Sequence, residues 1–422
     1  MIYFTKSVCP KCRIVLPAKI YFDNENTIIE KVCSKHGKFK SLHSWDTEEL
    51  YKIGCREIDE EIRCSFPINS PIQCEKCKKH LISQDLVLFT TGKCNLNCDF
   101  CYDGARSHID DFYVDDIERI LINYPNLKRI QLSGGEVTMR EDLFSILSFM
   151  KKSGFGVSIV TNGTRTSNED YVKELKASKI DFVVVSIEKN LRSKKIEGYA
   201  FKSIDNLKKY NIRFVISSTI TEKNINEIKN IVKFAILHGA SAIRLAPYHI
   251  TKFNERPISN IRFSDVVKAF CDSFGIKMED IIQQHEFRCM GERITNYLRS
   301  GIHGNNIPFL HFWFVRKNGN IKKYNKTFQF KLMCTVLRLL TNCIVLKFLR
   351  NVNRYLNFVK YLSYKTLFND NFFLVQIQNT MNPYNIDLRF LQNSKGIIIT
   401  RKDDIKHPIP YCYSHMIRGD ID

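Results

Sequence analysis

A chain of 422 residues with 44% hydrophobic and 12% aromatic content is long enough to bury a large core and too apolar to be disordered. Fifteen cysteines would suit a disulfide-stapled secreted scaffold, but the N-terminus carries no signal-peptide pattern and Cys9 and Cys12 are spaced C-x2-C, so a reduced cytoplasmic metalloprotein is expected. The formal charge of +20 is concentrated between Arg293 and Asn369, with fourteen Lys or Arg and no Asp or Glu; it attracts a phosphate-bearing substrate, a lipid headgroup surface or a nucleic acid, unless it only reflects an A/T-rich genome.

Residues 1–84 are cysteine-dense and read as a metal-binding region of short strands and turns. Cys9-Pro-Lys-Cys12 and Cys33-Ser-Lys-His36 supply a C-x2-C and a C-x2-H knuckle, a donor set suited to one tetrahedral zinc or iron ion; the alternative is four unrelated side chains in a reduced protein. Cys55, Cys64, Cys74 and Cys77 form a further set of four able to ligate an auxiliary iron-sulfur cluster.

From Leu86 the texture changes to alternating strand and helix signals. Leu86–Thr90 reads as a strand, followed by a helix with Ile117, Ile120, Leu121 and Tyr124 on one face. Arg129–Leu132 is a second strand running into Ser133-Gly134-Gly135-Glu136, and Leu143, Ile146, Leu147 and Met150 mark the next helical face. Strands are expected again at Val157 onward to the Asn162-Gly163 turn, at Phe182–Ile187, at Arg213–Ser218 and at Ala242–Ala246. Nearly continuous apolar strands separated by helices argue for an α/β fold, a parallel sheet curled into a partial (β/α)6 barrel over residues 85–255 with its sites at the strand ends.

Residues 256–422 read as an irregular basic extension holding a substrate or auxiliary region. Its most apolar run, Leu332–Leu349, contains Arg338, Thr341, Asn342 and Lys347, which argues against a membrane span. An amphipathic basic helix there would either cap a core or lie on a membrane interface.

The chemistry concentrates in Cys94-Asn-Leu-Asn-Cys98-Asp-Phe-Cys101, three thiols in eight residues directly after a strand. Three thiolates on a 4Fe-4S cubane leave one iron with open coordination, where an exogenous chelator is expected. The competing reading is a zinc site completed by a distant fourth ligand.

C-x3-C-x2-C after the first strand, Gly134-Gly135-Glu136 after the second and Thr161-Asn162-Gly163 after the third together resemble the radical S-adenosylmethionine (SAM) superfamily. The resemblance implies that SAM chelates the open iron and is reductively cleaved to methionine and a 5'-deoxyadenosyl radical, which abstracts hydrogen from an unactivated carbon. It also implies a reductant such as a ferredoxin or flavodoxin. By the same resemblance Gly134 and Gly135 approach the methionyl group, Glu136 and Asn162 shape the pocket, and Phe100 contacts adenine. Ser186 and Glu188 stand where relatives place ribose or carboxylate contacts, although polar residues closing a strand look the same. Val137 departs from the proline that many relatives carry.

The N-terminal knuckles, Leu16-Pro-Ala-Lys-Ile, Cys74-x2-Cys77-x2-His80, Asn382-Pro-Tyr-Asn-Ile-Asp-Leu388 and Ile409-Pro-Tyr-Cys412 resemble the archaeal tetraether lipid synthase-like subgroup. That likeness implies a rubredoxin-like site, auxiliary 4Fe-4S clusters and carbon-carbon coupling of lipid chains, with pterin methylation known among related proteins. Ser70, Ser394 and Lys395 replace expected cysteines, and Cys412 would need Cys271, Cys289, Cys334 or Cys343 to complete a tail cluster. Three functions are therefore carried forward: radical chemistry on a hydrophobic or anionic lipid, with peripheral membrane contact; radical modification of a pterin, peptide or other polar metabolite; and a zinc-ribbon nucleic-acid binder, which would leave the barrel without a use.

Overall fold

The computed structural model describes residues 2–55, 85–101, 110–248, 259–282, 284–285, 309–317, 320–323, 372–379, 381–392, 397–399, 402 and 409–410. Of the expected metal and cluster residues, Cys64, Cys74 and Cys77 lie outside these, as do Cys289, Cys334, Cys343, Cys412 and the Leu332–Leu349 run. Among the described residues no helix is long and apolar enough to cross a membrane.

The N-terminal region is an antiparallel meander of β1 (Ile2–Val8), β2 (Val15–Asp23), β3 (Asn26–Cys33) and β4 (Gly37–Thr47), ordered as in the chain. These strands are longer than the cysteine density suggested, because Cys9, Cys12 and Cys33 sit at or beside the turns and leave β-branched and aromatic runs between them. Asn24, in the left-handed region at φ 54°, turns β2 into β3. Helix α1 (Glu48–Cys55) follows, with Glu48 and Glu49 at the positive end of its dipole.

The second sheet starts with six parallel strands in chain order: β5 (Asp85–Thr91), β6 (Arg129–Gly134), β7 (Gly156–Thr161), β8 (Phe182–Ser186), β9 (Phe214–Ile220) and β10 (Ala242–Pro247). They alternate with α2 (Val114–Asn123), α3 (Leu143–Lys152), α4 (Glu169–Ala177), α5 (Lys194–Lys209) and α6 (Ile228–Leu237), and α7 (Phe263–Phe274) follows β10. The expected βα units are all present. Leu143, Ile146, Leu147 and Met150 are fully buried, as the helical spacing required.

The C-terminal extension does more than follow the barrel. On one side β13 (Phe372–Gln378) pairs in parallel with β10, and β11 (Phe309–Lys317) and β12 (Asn320–Lys323) continue antiparallel. On the other, β14 (Ile397–Ile399) pairs in parallel with β5 and antiparallel with β15 (Ile409–Pro410). The strand that leads into the cysteine loop is thus covered rather than left as an edge, which removes a row of unpaired backbone groups.

Continuous apolar character holds for β7 and β8 but not beyond. Ile216 and Leu245 face the helix layer in the core, whereas Ser217 and Arg244 beside them in sequence face the opposite side and are half-buried. The later strands therefore alternate, and from β8 onward the inner face carries Ser186, Ser217 and Arg244 among the apolar Val184, Val215 and Ala242.

Residues 381–392, including the short helix α8 (Leu388–Gln392), bind the tail to the N-terminal sheet. Ser7 Oγ donates to the Ile386 carbonyl at 2.6 Å, and buried Lys31 donates to Ser7 Oγ, the Pro383 carbonyl and the Tyr384 carbonyl at 2.8, 2.6 and 3.0 Å. Fully buried Asp387 accepts from Thr5 Oγ1 and Arg389, with His43 Nε2 3.7 Å away. Trp45 packs edge-on against Phe263 of α7 at 5.2 Å, while Asp46 accepts from the Ser264 hydroxyl at 2.8 Å, so sheet, tail and barrel share one junction. Burial alone would raise the Asp387 carboxyl, but His43 and Arg389 more than offset it and hold the group below the usual carboxylate range.

With the folded-state pKa depressed, the stabilisation from Asp387 is present above its unfolded value near 4 and is lost as pH falls below it. Asp387→Ala, which strands Arg389 in the junction, should cost about 3–5 kcal/mol of unfolding free energy at neutral pH and flatten the acid limb of a stability-versus-pH curve from urea titrations. An unchanged acid limb in the variant would contradict this role.

Candidate functional site

The cysteine loop is held at its base by backbone contact. Gly135 N donates to the Thr91 carbonyl and Glu136 N to the Lys93 carbonyl, each at 2.8 Å, so the end of β6 lies directly on the chain entering the loop. A Cβ on Gly134 would fall 2.3 Å from the Thr91 carbonyl oxygen, and one on Gly135 would fall 2.3 Å from that of Lys93. Gly134 also has φ +125°, which disfavours any other residue. The glycine pair thus has a role inside the protein that the sequence reading did not foresee: it lets two backbones touch.

Glu136 is fully buried, and protein groups occupy both of its carboxylate oxygens. Oε1 accepts from the Thr138 amide and hydroxyl and from Thr161 Oγ1 at 2.7 Å; Oε2 accepts from Asn162 N at 2.6 Å. Burial pushes its pKa up, and these donors oppose the rise. One side chain therefore ties the end of β6 to the end of β7. Asn162 Nδ2 in turn donates to Asn95 Oδ1, and Asn95 Nδ2 to Thr164 Oγ1, both at 2.8 Å, which carries the tie into the cysteine loop itself.

Arg140 closes the loop from the other direction. Its guanidinium donates to the Thr90 carbonyl before the loop and to the Phe112 carbonyl after it, the latter at 2.8 Å, while Asp142 accepts from the remaining donors at 2.8 and 2.9 Å. Sequence reasoning missed Asn95, Thr164 and Arg140. Asn95 stands inside the cysteine motif and Thr164 directly follows Thr161-Asn162-Gly163, but only the adjacency of β5, β6 and β7 brings those segments together, and Arg140 carries no local signal at all.

Cys94 and Cys98 are half-buried, Cys101 is exposed, and all three thiols are free of disulfides. The Leu96 amide points at Cys94 Sγ at 3.4 Å, and Cys101 N donates to the Cys98 carbonyl at 3.1 Å. Three thiols at a barrel mouth, one with an N–H donor to its sulfur, fit a cluster that keeps one coordination position for another ligand. Phe100 is buried, and the guanidinium carbon of Arg192 lies 5.5 Å from its ring centroid. Arg192 Nη1 donates to the Ser186 carbonyl at 3.3 Å, and its buried Nε has no partner among the described residues. That donor beside Phe100 suits an anionic or polar group of a bound cofactor. Ser186 is half-buried at the end of β8. Both Glu188 oxygens are engaged by Thr219, from the amide at 2.7 Å and the hydroxyl at 3.2 Å; burial raises the Glu188 pKa and Arg192 opposes that.

The second site lies at one end of the N-terminal sheet, where the β1–β2 and β3–β4 turns meet. The ligand atoms of Cys9, Cys12, Cys33 and His36 all lie within 4.8 Å of one another. Cys12 Sγ is 3.8 Å from Cys33 Sγ, and His36 Nδ1 is 3.5 and 3.6 Å from Cys9 and Cys33. Burial opposes ionisation of Cys9 and Cys33, but the backbone amides of each knuckle lower both thiols; Cys12 is raised by burial and by its neighbouring thiols. Adjacent thiolates that repel one another need a cation, and Cys3His is a zinc-type donor set. Cys55, half-buried on α1, is raised by burial and hydrogen-bonds with Tyr51. Cys271 is buried in the core on α7, as a small hydrophobe would be.

Residues 88–235 match the model of the Radical SAM superfamily, and residues 1–44 match that of the HMPTM N-terminal zinc ribbon domain. Among curated relatives, the chain is 30% identical over 255 residues to 7,8-dihydro-6-hydroxymethylpterin dimethyltransferase of Methanocaldococcus jannaschii, covering 55% of this chain and 50% of that protein. It is 29% identical over 181 residues to a probable GTP 3',8-cyclase of Sulfurisphaera tokodaii, covering 39% of this chain and 56% of the other. The chain thus spans about half the length of these relatives. Among solved structures, Streptococcus suis SuiB bound to its precursor peptide SuiA superimposes with a TM-score of 0.39 at 16% identity, covering 71% of each chain.

Gly135→Ala should force the loop base apart, so that the purified protein loses most of its iron. Gly198→Ala, inside α5 with open space around the added Cβ, should retain its iron and gain up to about 1 kcal/mol in stability. Iron assay and urea unfolding of both variants check this. At the N-terminal site, Cys33→Ser should remove one equivalent of metal and leave the cluster iron in place, as inductively coupled plasma mass spectrometry would read.

Proposed function

We propose, from the premise that residues 88–235 are a radical SAM domain, that the chain is an enzyme that cleaves SAM reductively and uses the resulting radical to modify a pterin-type heterocycle. When bound, the 4Fe-4S cluster and SAM supply, with one electron from a reductant, a 5'-deoxyadenosyl radical that takes hydrogen from a substrate carbon. The chain's own residues set the stage. Cys94, Cys98 and Cys101 hold the cluster; Phe100, Arg192 and Ser186 line the place of the cofactor; Gly134, Gly135, Glu136 and Asn162 fix the loop's position over the barrel. Residues 1–84 hold a mononuclear zinc or iron ion, residues 85–255 carry the radical core and residues 256–422 complete its sheet.

The observation that supports the substrate is the likeness over 255 residues to a 7,8-dihydro-6-hydroxymethylpterin dimethyltransferase, beside the match of residues 1–44 to the HMPTM N-terminal zinc ribbon domain. No such support attaches to the tetraether-type lipid coupling that the N-terminal and tail motifs suggested. Three of the four thiols of its auxiliary cluster set, Cys64, Cys74 and Cys77, lie outside the described residues. The nucleic-acid reading draws nothing from the relatives either.

Anaerobically reconstituted protein given dithionite and SAM should form 5'-deoxyadenosine, and 7,8-dihydro-6-hydroxymethylpterin should accelerate that formation and be converted to a heavier product in mass spectrometry. Cys98→Ala should lower 5'-deoxyadenosine formation to background. Acceleration by an isoprenoid lipid and not by the pterin would replace this substrate with the lipid, and turnover retained by Cys98→Ala would refute the site.

A further inference from the structure

The strands that present the ribbon's metal donors are also the strands that grip the tail. Ser7, two residues before Cys9, donates to the Ile386 carbonyl at 2.6 Å, and Lys31, two residues before Cys33, donates to the Pro383 and Tyr384 carbonyls at 2.6 and 3.0 Å. Beyond His36, the Phe39 and Tyr384 ring centroids lie 6.3 Å apart, and Ser41 Oγ donates to the Tyr384 carbonyl at 2.7 Å. The register places Thr5, Ala18 and Lys31 in one row across β1, β2 and β3, with Ser7 and Leu16 in the next row of the same face, towards the knuckles. Thus β1, β3 and β4 each hold the tail a short way from a ligand.

Among the described residues the knuckle end has an apolar cluster of its own, separate from the main core: Cys9, Leu16 and Cys33 are buried, with Cys12, Ile14 and Phe39 packed against them. Three of these six are ligand thiols, so the cluster is too small and too polar to stay closed unaided. Four donor atoms within 4.8 Å of one another supply the cohesion once a cation binds them. The tail divides at the same level. Ile386, Leu388 and Phe390 are buried in the main core and Asp387 is anchored by Thr5 and Arg389, whereas residues 382–385 rest on the knuckle end. There Asn382 Oδ1 accepts from the Tyr384 and Asn385 amides at 2.9 and 3.2 Å, a turn that aims the Pro383 and Tyr384 carbonyls at Lys31.

We propose that the ion held by Cys9, Cys12, Cys33 and His36 latches the tail, so that metal binding and the docking of residues 382–386 are thermodynamically linked. The proposal rests on the reading that the ribbon holds a mononuclear ion, and it is independent of the radical chemistry. With the metal bound, the knuckles fix the ends of β1, β3 and β4, and Ser7, Lys31, Phe39 and Ser41 stand in register for the tail. Without it the knuckles open and the near half of the contact goes with them, while the half buried in the main core stays. The released segment joins β13, which extends the barrel sheet from β10, to α8, so the ion fixes one connection between barrel and ribbon. Linkage is reciprocal, and a tail that docks poorly must therefore weaken the metal by the same factor.

Hydrogen exchange read by mass spectrometry on the anaerobic full-length protein, before and after chelation with EDTA and again after zinc is returned, tests the first direction. The amides of residues 384–386 should exchange at least about 10-fold faster without the metal and recover with zinc, while those of residues 388–390 should change less than about 3-fold. Competition for zinc with a chromophoric chelator tests the reverse direction on tail variants that alter no ligand. Asn382→Ala should weaken zinc about 5- to 20-fold and Tyr384→Ala about 3- to 10-fold. Exchange at residues 384–386 that is indifferent to the metal overturns the linkage, and this measurement on the wild type stands even if a variant does not fold. Zinc affinity within twofold of wild type in both variants overturns it as well. Failure of the wild type to bind zinc would overturn the ribbon reading together with the latch, whereas tight binding with unchanged exchange would overturn the latch alone.

Discussion

The constraint on which the site depends is the contact of two backbones at the barrel mouth. The end of β6 lies against the Thr91–Lys93 segment with no side chain between them, because Gly134 and Gly135 leave none. Two amide-to-carbonyl bonds then set the height and direction at which the chain enters the cysteine loop. Glu136, Asn162 and Asn95 pass that constraint to β7 and back into the loop, and Arg140 joins the loop's two ends. Placing three thiols on one cubane is a geometric demand, and a loop fixed at several points meets it with little ordering entropy left to lose when the cluster binds.

Burying Glu136 without a cationic partner would be costly if its charge were left unsatisfied. Its four protein donors explain how the position is tolerated, and they imply that the group works as a bracket rather than as an acid or base. The same logic applies at the other end of the molecule. Asp387 and Lys31 are buried where the tail meets the N-terminal sheet, and each is satisfied by groups from the opposite partner, so the junction has a defined register instead of a merely greasy fit. With β14 paired to β5, the tail runs from the metal ribbon to the strand that feeds the cluster loop. The ribbon and the cysteine loop are thus linked by one short stretch of chain.

Much of this was legible in the sequence wherever the signal was local. The six strands of the core, the helical faces around Ile117 and Leu147 and the Cys9–His36 donor set could each be read from spacing, while the three strand-end motifs took their meaning from a resemblance to the radical SAM superfamily. What could not be read depends on register between distant strands. Nothing near Arg244 or Gln376 announces that they are neighbours, Asn95 gains meaning only beside Asn162, and β14 is too short to stand out before its pairing with β5 is known. The length of β1 to β4 was underestimated because cysteine density drew attention to the turns and away from the β-branched runs between them. The apolar character expected of the strands does not extend evenly to β9 and β10, whose inward faces mix Ser217, Thr219 and Arg244 with Val215, Ala242 and Ala246.

The central claim is that Cys94, Cys98 and Cys101 hold a cubane with one iron open to SAM. Electron paramagnetic resonance of the anaerobically reduced protein, recorded with and without SAM, tests it most directly. The account requires a reduced 4Fe-4S signal whose g-values shift when SAM is added and which disappears in Cys101→Ala. A protein that binds zinc and no iron at this loop, or a cluster signal indifferent to SAM, would contradict it.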